Sequence, residues 1–225
     1  MKIADVLSAV AGFLLSVAII ATVIDVVSFD RSFYEKEYIK NDTVSYTGMS
    51  AEDNLKATEA LLDYLQDKRQ DIVVTATVYG TEREVFNERE TLHMVDVKAL
   101  YQKAILVRNC CVIGSVILFA LAVMIGKKRL LSVLRAGWKN GVILTGAVIL
   151  FIAIWALADF DQFWTNFHLL FFDNDLWLLD PNTSIMINLF PGSFFFDLVI
   201  RIILWIVGIH LAISAVLYGT RKAAA

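Results

Sequence analysis

The sequence predicts a polytopic α-helical membrane protein, with four transmembrane helices and a small extracytoplasmic α+β cap. Three observations predict it. Hydrophobic residues make up 58% of the 225 and charged residues only 19%, against roughly 45–50% and about 25% in soluble domains. The excess sits in four apolar runs, residues 6–24, 105–125, 142–158 and 198–217. Lys and Arg favour one side of those runs. An α-helix rises about 1.5 Å per residue, so roughly 20 residues cross a hydrocarbon core of about 30 Å. The composition excludes an ordinary soluble globule, a disordered chain and a fibre. A net charge of -3 and a pI near 5.6 speak against a nucleic-acid partner. Cys110 and Cys111 are adjacent within an apolar run and cannot build a disulfide framework.

The elements follow in chain order. Span one, within residues 1–27, is longer than the roughly 7–15-residue core of a secretory signal. Ser16-Val17-Ala18 lies inside it, so an uncleaved helix is expected. Residues 28–104 form the larger outer segment, with fifteen acids and ten bases. Ser50 with Asp53 starts a helix in capping-box fashion, and Leu55, Thr58, Leu61, Leu62 and Leu65 keep helical spacing to about Gln70. The β-branched run at 72–79 reads as a strand ended by Gly80, with 84–86 as its hairpin partner. Asn87 with Glu90 opens another helix that can continue into span two, residues 105–126. The loop 127–141 carries Lys127, Lys128, Arg129, Arg135 and Lys139 without an acid.

Span three covers 142–158, with Trp138 and Phe160 as interfacial anchors. Segment 159–197 holds eleven Phe or Trp and both prolines, Pro181 and Pro191. Phe160, Phe163, Trp164, Phe167 and Phe171 keep helical spacing there. Span four covers 198–218, and a tail, 219–225, carries Arg221 and Lys222 before Ala223-Ala224-Ala225, which reads as an artificial end. The positive-inside rule then places both termini and the 127–141 loop in the cytoplasm.

Several ionisable groups fall at one depth, near the outer edge of the hydrocarbon: Arg108, Arg201, Asp25, Asp159, Asp161 and Asp197. Two readings apply. One is snorkelling and ion pairs that fix helix register. The other is a water-accessible polar site, where Arg108 and Arg201 would suit a lipid phosphate or a developing oxyanion. His210, deep in span four, reads as a packing or hydrogen-bonding group.

Two histidines lie on the outer side. His93 has Glu90 and Asp96 three residues to either side, and these carboxylates should favour its protonated form. His168 lies among Phe167, Leu169, Phe171 and Phe172, which should keep it neutral and basic. Each ring alone is commonly a surface or packing residue; two on one side of a membrane, each near acids, favour chemistry. No metal is expected, because no His-Glu-x-x-His pattern or standard ligand spacing is present. Neither a Gly-x-Ser-x-Gly nucleophile nor a Gly-rich phosphate loop exists.

The stretches Glu90…His93-Met94…Asp96-Val97-Lys98 and Phe167-His168…Phe171-Phe172…Asn174-Asp175-Leu176-Trp177-Leu178-Leu179-Asp180-Pro181…Phe190-Pro191…Phe195 resemble the bacterial lipoprotein intramolecular transacylase (Lit) family. Ser184 departs from the pattern, which usually carries an acid there. The resemblance implies a Gram-positive cell-membrane enzyme that needs no cofactor. Its substrate would be a diacylated lipoprotein, with membrane lipid as the surrounding partner. It would move the sn-2 acyl chain of the diacylglyceryl cysteine to the free α-amine, with His93 and His168 catalytic. Histidine suits both the base and the acid of such a reaction, and the two roles can be exchanged. Glu90, Asp96, Asp161, Asp173, Asp175 and Asp180 are the expected supporting acids. Arg108, Arg201, Trp164 and Trp177 are the expected substrate and lipid contacts. A non-enzymatic sensor with a ligand- or metal-binding cap and an assembly subunit are the competing classes.

Overall fold

A computed structural model describes residues 2–219. Arg221, Lys222 and the terminal alanines, read above as cytoplasmic tail and artificial end, lie outside the described residues. Nine helices and one hairpin are described: α1 (Ile3–Ser28), α2 (Arg31–Lys40), α3 (Thr43–Thr47), α4 (Ala51–Leu65), β1 (Thr75–Val78), β2 (Thr81–Glu84), α5 (Glu88–Gly126), α6 (Leu130–Ala158), α7 (Phe160–Phe171), α8 (Ile185–Leu189) and α9 (Gly192–Gly219). Helices α1, α5, α6 and α9 are long and apolar enough to cross a membrane. The chain divides into two compact units.

The first unit contains α1, α6, α5 from Ala104 and α9 from Ile200. Small residues let α1 and α6 meet at the backbone. A Cβ on Gly12 would lie 1.9 Å from the Gly137 carbonyl oxygen, and one on Gly141 would lie 2.3 Å from that of Gly12. This is small-residue packing of the kind membrane helices use when lipid offers no hydrophobic drive to associate. Ala11, Phe119, Ala122 and Val133 form the adjoining core. Ser8 donates to the Val133 carbonyl at 2.8 Å. Ser16 lies 2.7 Å from both Thr145 Oγ1 and His210 Nε2, while His210 Nδ1 reaches the Ile206 carbonyl at 2.8 Å. Trp138 stacks on the same imidazole at 5.2 Å. His210 is thus satisfied at both ring nitrogens, as a polar group inside a bilayer must be.

The segment 127–141, expected as a loop, is mostly helix. Only residues 127–129 form the turn, because Val133, Gly137, Trp138 and Gly141 carry one buried face of α6. Arg108 and Asp25 pair at 2.6 Å, each about one-fifth exposed.

The second unit contains Phe29–Lys103 and Asp159–Val199. Its core is aromatic: Phe33, Tyr34, Tyr38 and Phe194 are buried, and Phe194 meets Phe33 and Tyr34 at 5.3 and 5.2 Å. Ser50 caps α4 by accepting from Asp53 N at 3.0 Å, as expected, but the helix ends at Leu65 rather than near Gln70. β1 pairs antiparallel with β2 from Thr75↔Glu84 to Val78↔Thr81. The partner strand therefore begins at Thr81 instead of residue 84. The reason is the turn: Tyr79 and Gly80 both have positive φ, 48° and 83°, which closes a two-residue hairpin of matching twist. Tyr79 is held there by bonds to the Gly48 and Tyr46 carbonyls. Helices α2, α3 and α8 were not evident in the sequence pattern.

Substituting Gly12 by Val should cost at least about 1–3 kcal/mol by overpacking, because backbone rather than a flexible side chain receives the new Cβ. Thermal unfolding in detergent should show this as a lowered Tm. Gly146→Ala, where nothing lies within 4 Å of the added Cβ, should leave Tm unchanged.

Candidate active site

The site is built from the start of α5, from α7 and from the loop after it. Asn87 and Glu90 cap α5 reciprocally: Asn87 Oδ1 accepts from Glu90 N at 3.0 Å, and Glu90 Oε2 accepts from Asn87 N at 2.6 Å. Glu90 is only 1% exposed. Its other oxygen accepts from Ser184 Oγ at 2.6 Å and from Met186 N at 2.7 Å. The carboxylate expected to orient His93 instead ties α5 to the start of α8.

His93 and His168 are 8% and 7% exposed, and their ring centroids are 6.1 Å apart at 32°. Phe172 touches both, at 5.4 and 5.7 Å. Trp164 meets His168 edge-on at 5.0 Å, and Trp177 stacks on it at 4.8 Å. His168 Nδ1 lies 2.8 Å from the Trp164 carbonyl oxygen. That oxygen can only accept, so Nδ1 carries the hydrogen and the neutral ring presents a lone pair at Nε2. Burial pushes the His168 pKa down, partly opposed by this bond. His93 Nδ1 is buried without a hydrogen-bond partner.

Contrary to the sequence expectation, His93 is not held protonated. Its pKa is pushed down to about 4, first by burial, then by the neighbouring His168. Asp96 raises it, but less than burial lowers it, and Arg89 adds to the lowering. Asp96 also accepts from Asn174 Nδ2 at 2.8 Å.

The other expected acids do not converge on the rings. Asp175 pairs with Arg89 at 3.2 Å. Asp180 accepts from Asn182 N at 2.9 Å and shapes the turn before α8. Asp161, in the first turn of α7, and Asp173 are exposed. Among the described residues no three His, Cys, Asp or Glu side chains form a metal-holding group. Arg108 and Arg201 belong to the first unit, and the histidines to the second. Arg89, four residues before His93, and the Ser184 hydroxyl were missed; helical spacing alone was a usable signal for Arg89.

The family described as lipoprotein intramolecular transacylase Lit matches residues 9–195. The chain belongs to this family. As a Lit family member it is an acyltransferase built into the membrane, so the sensor and assembly-subunit readings give way. Solved structures share its fold. That of the membrane-integral lipoprotein intramolecular transacylase Lit from Bacillus cereus is 21% identical with a TM-score of 0.77, covering 98% of each chain. Two variants of the B. cereus protein, each with a single histidine substituted, are 20% identical. One has a TM-score of 0.74, covering 99% of this chain and 95% of that chain. The other has a TM-score of 0.75, covering 98% and 94%. No curated protein matches.

Both histidine pKa values lie below the ordinary 6.5. The unfolded chain therefore takes up protons first as pH falls, and the stability these rings contribute is present above 6.5 and lost as pH drops through the folded values. NMR titration of the imidazoles in detergent should give a midpoint near 4 for His93 and one below 6.5 for His168. A His93 midpoint above 6.5 would return control of the ring to its carboxylates.

Proposed function

We propose that this protein moves the sn-2 acyl chain of a diacylglyceryl-modified N-terminal cysteine onto that cysteine's own α-amino group. The product is an N-acyl, S-monoacylglyceryl lipoprotein, and His93 and His168 are the catalytic pair. The observation that supports this reading is the pairing of two buried imidazoles 6.1 Å apart, both with pKa values held below the ordinary 6.5. The charge bias of the connections supports a site at the outer leaflet, where a diacylated lipoprotein presents its headgroup.

His168 Nε2, its lone pair free because Nδ1–H is used on Trp164, takes a proton from the amine as nitrogen attacks the ester carbonyl carbon. His93, neutral at working pH, offers an N–H to the carbonyl oxygen as it becomes an oxyanion. The bond from that carbon to the glyceryl oxygen then breaks, and the proton on His168 passes to the departing oxygen. One proton leaves the amine and one arrives at the glyceryl hydroxyl, so no co-reactant enters. This revises the sequence expectation of a carboxylate-supported imidazolium: a His93 with a pKa of about 4 acts as a neutral donor.

Amine and ester belong to one molecule, so orientation alone can supply up to roughly 7–11 kcal/mol of barrier reduction. Trp164, Phe172 and Trp177 enclose the rings and limit water, which favours amide over hydrolysis. Asp175 and Asp180 act on loop shape. Arg108 is spoken for by Asp25.

Purified protein given a synthetic diacylglyceryl-cysteinyl lipopeptide should yield the N-acyl lyso product, read by tandem mass spectrometry. His168→Ala should lower that rate at least about 100-fold, the usual scale for losing a general base. Wild-type rate in this variant would sink the assignment. EDTA should leave the rate unchanged; loss with EDTA and rescue by zinc would revive a metal reading.

A further inference from the structure

His93 and His168 share no hydrogen bond among the described residues, so their spacing must be set by something else. Two side chains of α5 reach the turn after α7, one from either side of His93 in sequence. Arg89, four residues before it, bridges the Asp175 carboxylate at 3.2 Å and also donates to the Asp175 carbonyl. Asp96, three residues after it, accepts from Asn174 Nδ2 at 2.8 Å. Positions three and four away on an α-helix share a face, so both contacts and the His93 ring project to the same side.

The gripped turn is internally fixed. Asn174 Oδ1 accepts from Leu176 N at 3.1 Å, and Trp177 Nε1 donates to the Asn174 carbonyl at 2.9 Å. Trp177 then stacks on His168 at 4.8 Å and 28°. A continuous set of contacts therefore runs from α5 through residues 174 and 175 and the indole to the second imidazole.

We propose that Arg89–Asp175 and Asp96–Asn174 form a two-point clamp that sets the distance and tilt between His93 and His168 through Trp177. Arg89 and Asn174 are then positioning residues for acyl transfer. This rests on the histidine reading above. As an ordinary ion pair Arg89–Asp175 would matter little, because the Asp175 side chain is 74% exposed and such pairs contribute little to stability. As a clamp it matters to rate, since a displacement of about 1 Å at reacting groups can cost about 100-fold.

The test is steady-state kinetics of the full chain on the same lipopeptide, alongside thermal unfolding in detergent. Arg89→Ala and Asn174→Ala should each lower kcat by about 10- to 100-fold with KM unchanged and Tm nearly unchanged. Arg89→Ala/Asp175→Ala should lose no more than the worse single variant, because both remove one contact. Asp96→Asn, which keeps an acceptor facing Asn174, should recover most of the kcat lost in Asp96→Ala. Additive losses, a rise in KM alone, or an Asp96→Asn as slow as Asp96→Ala would overturn the clamp. If Arg89→Ala does not fold, the Asp96 pair decides the matter. His168→Ala is run in parallel. An inactive His168→Ala beside fully active clamp variants removes only the clamp, whereas a fully active His168→Ala removes the histidine mechanism as well.

Discussion

A carboxylate taken out of water must find donors, and much of the second unit is arranged around where Glu90 finds them. An isolated buried charge costs several kcal/mol, so unpaired burial is not an option for this side chain. Asn87 N, Ser184 Oγ and Met186 N supply three bonds to its two oxygens. One is local and caps α5. The other two come from more than ninety residues away and fix the start of α8 against that cap. Because His93 is one helical turn beyond Glu90, anchoring the carboxylate also anchors the height from which the imidazole projects.

The same competition between burial and charge decides the character of the rings. Acidic neighbours in sequence would make His93 a cation, but burial and the neighbouring His168 outweigh the pull of Asp96. What remains for the imidazole is an apolar, aromatic surrounding that disfavours charge. His168 differs in one respect: a backbone carbonyl fixes its hydrogen at Nδ1. Two chemically identical side chains are thereby distinguished, one with a defined lone pair and one with a buried, uncommitted nitrogen.

Much of the fold was legible because membrane spans announce themselves by length. Helices α1, α5, α6 and α9 contain the four apolar runs, and the caps at Ser50 and Asn87 act as their residue types indicate. The start of α6 was not legible, since a basic segment reads as a loop until its buried face of Val133, Gly137 and Gly141 is seen to continue the helix. The Gly137-x-x-x-Gly141 spacing was present in the sequence and passed unread. Both histidines and the aromatic rings around His168 were visible as residue types. The use of the acids was not, because spacing along a helix shows which groups are near and says nothing of a competing partner from a distant loop. Glu90 went to Ser184, Asp96 to Asn174 and Asp175 to Arg89.

The contact between α1 and α6 also restricts how lipid can approach the first unit. Gly12 lies against Gly137 and Gly141 with no room for even a methyl group. A hydrocarbon chain is far wider than that gap, so this seam acts as a closed wall towards the bilayer. Acyl chains that enter the bundle sideways must do so at another face, because three residues that have no side chains at all keep this one shut.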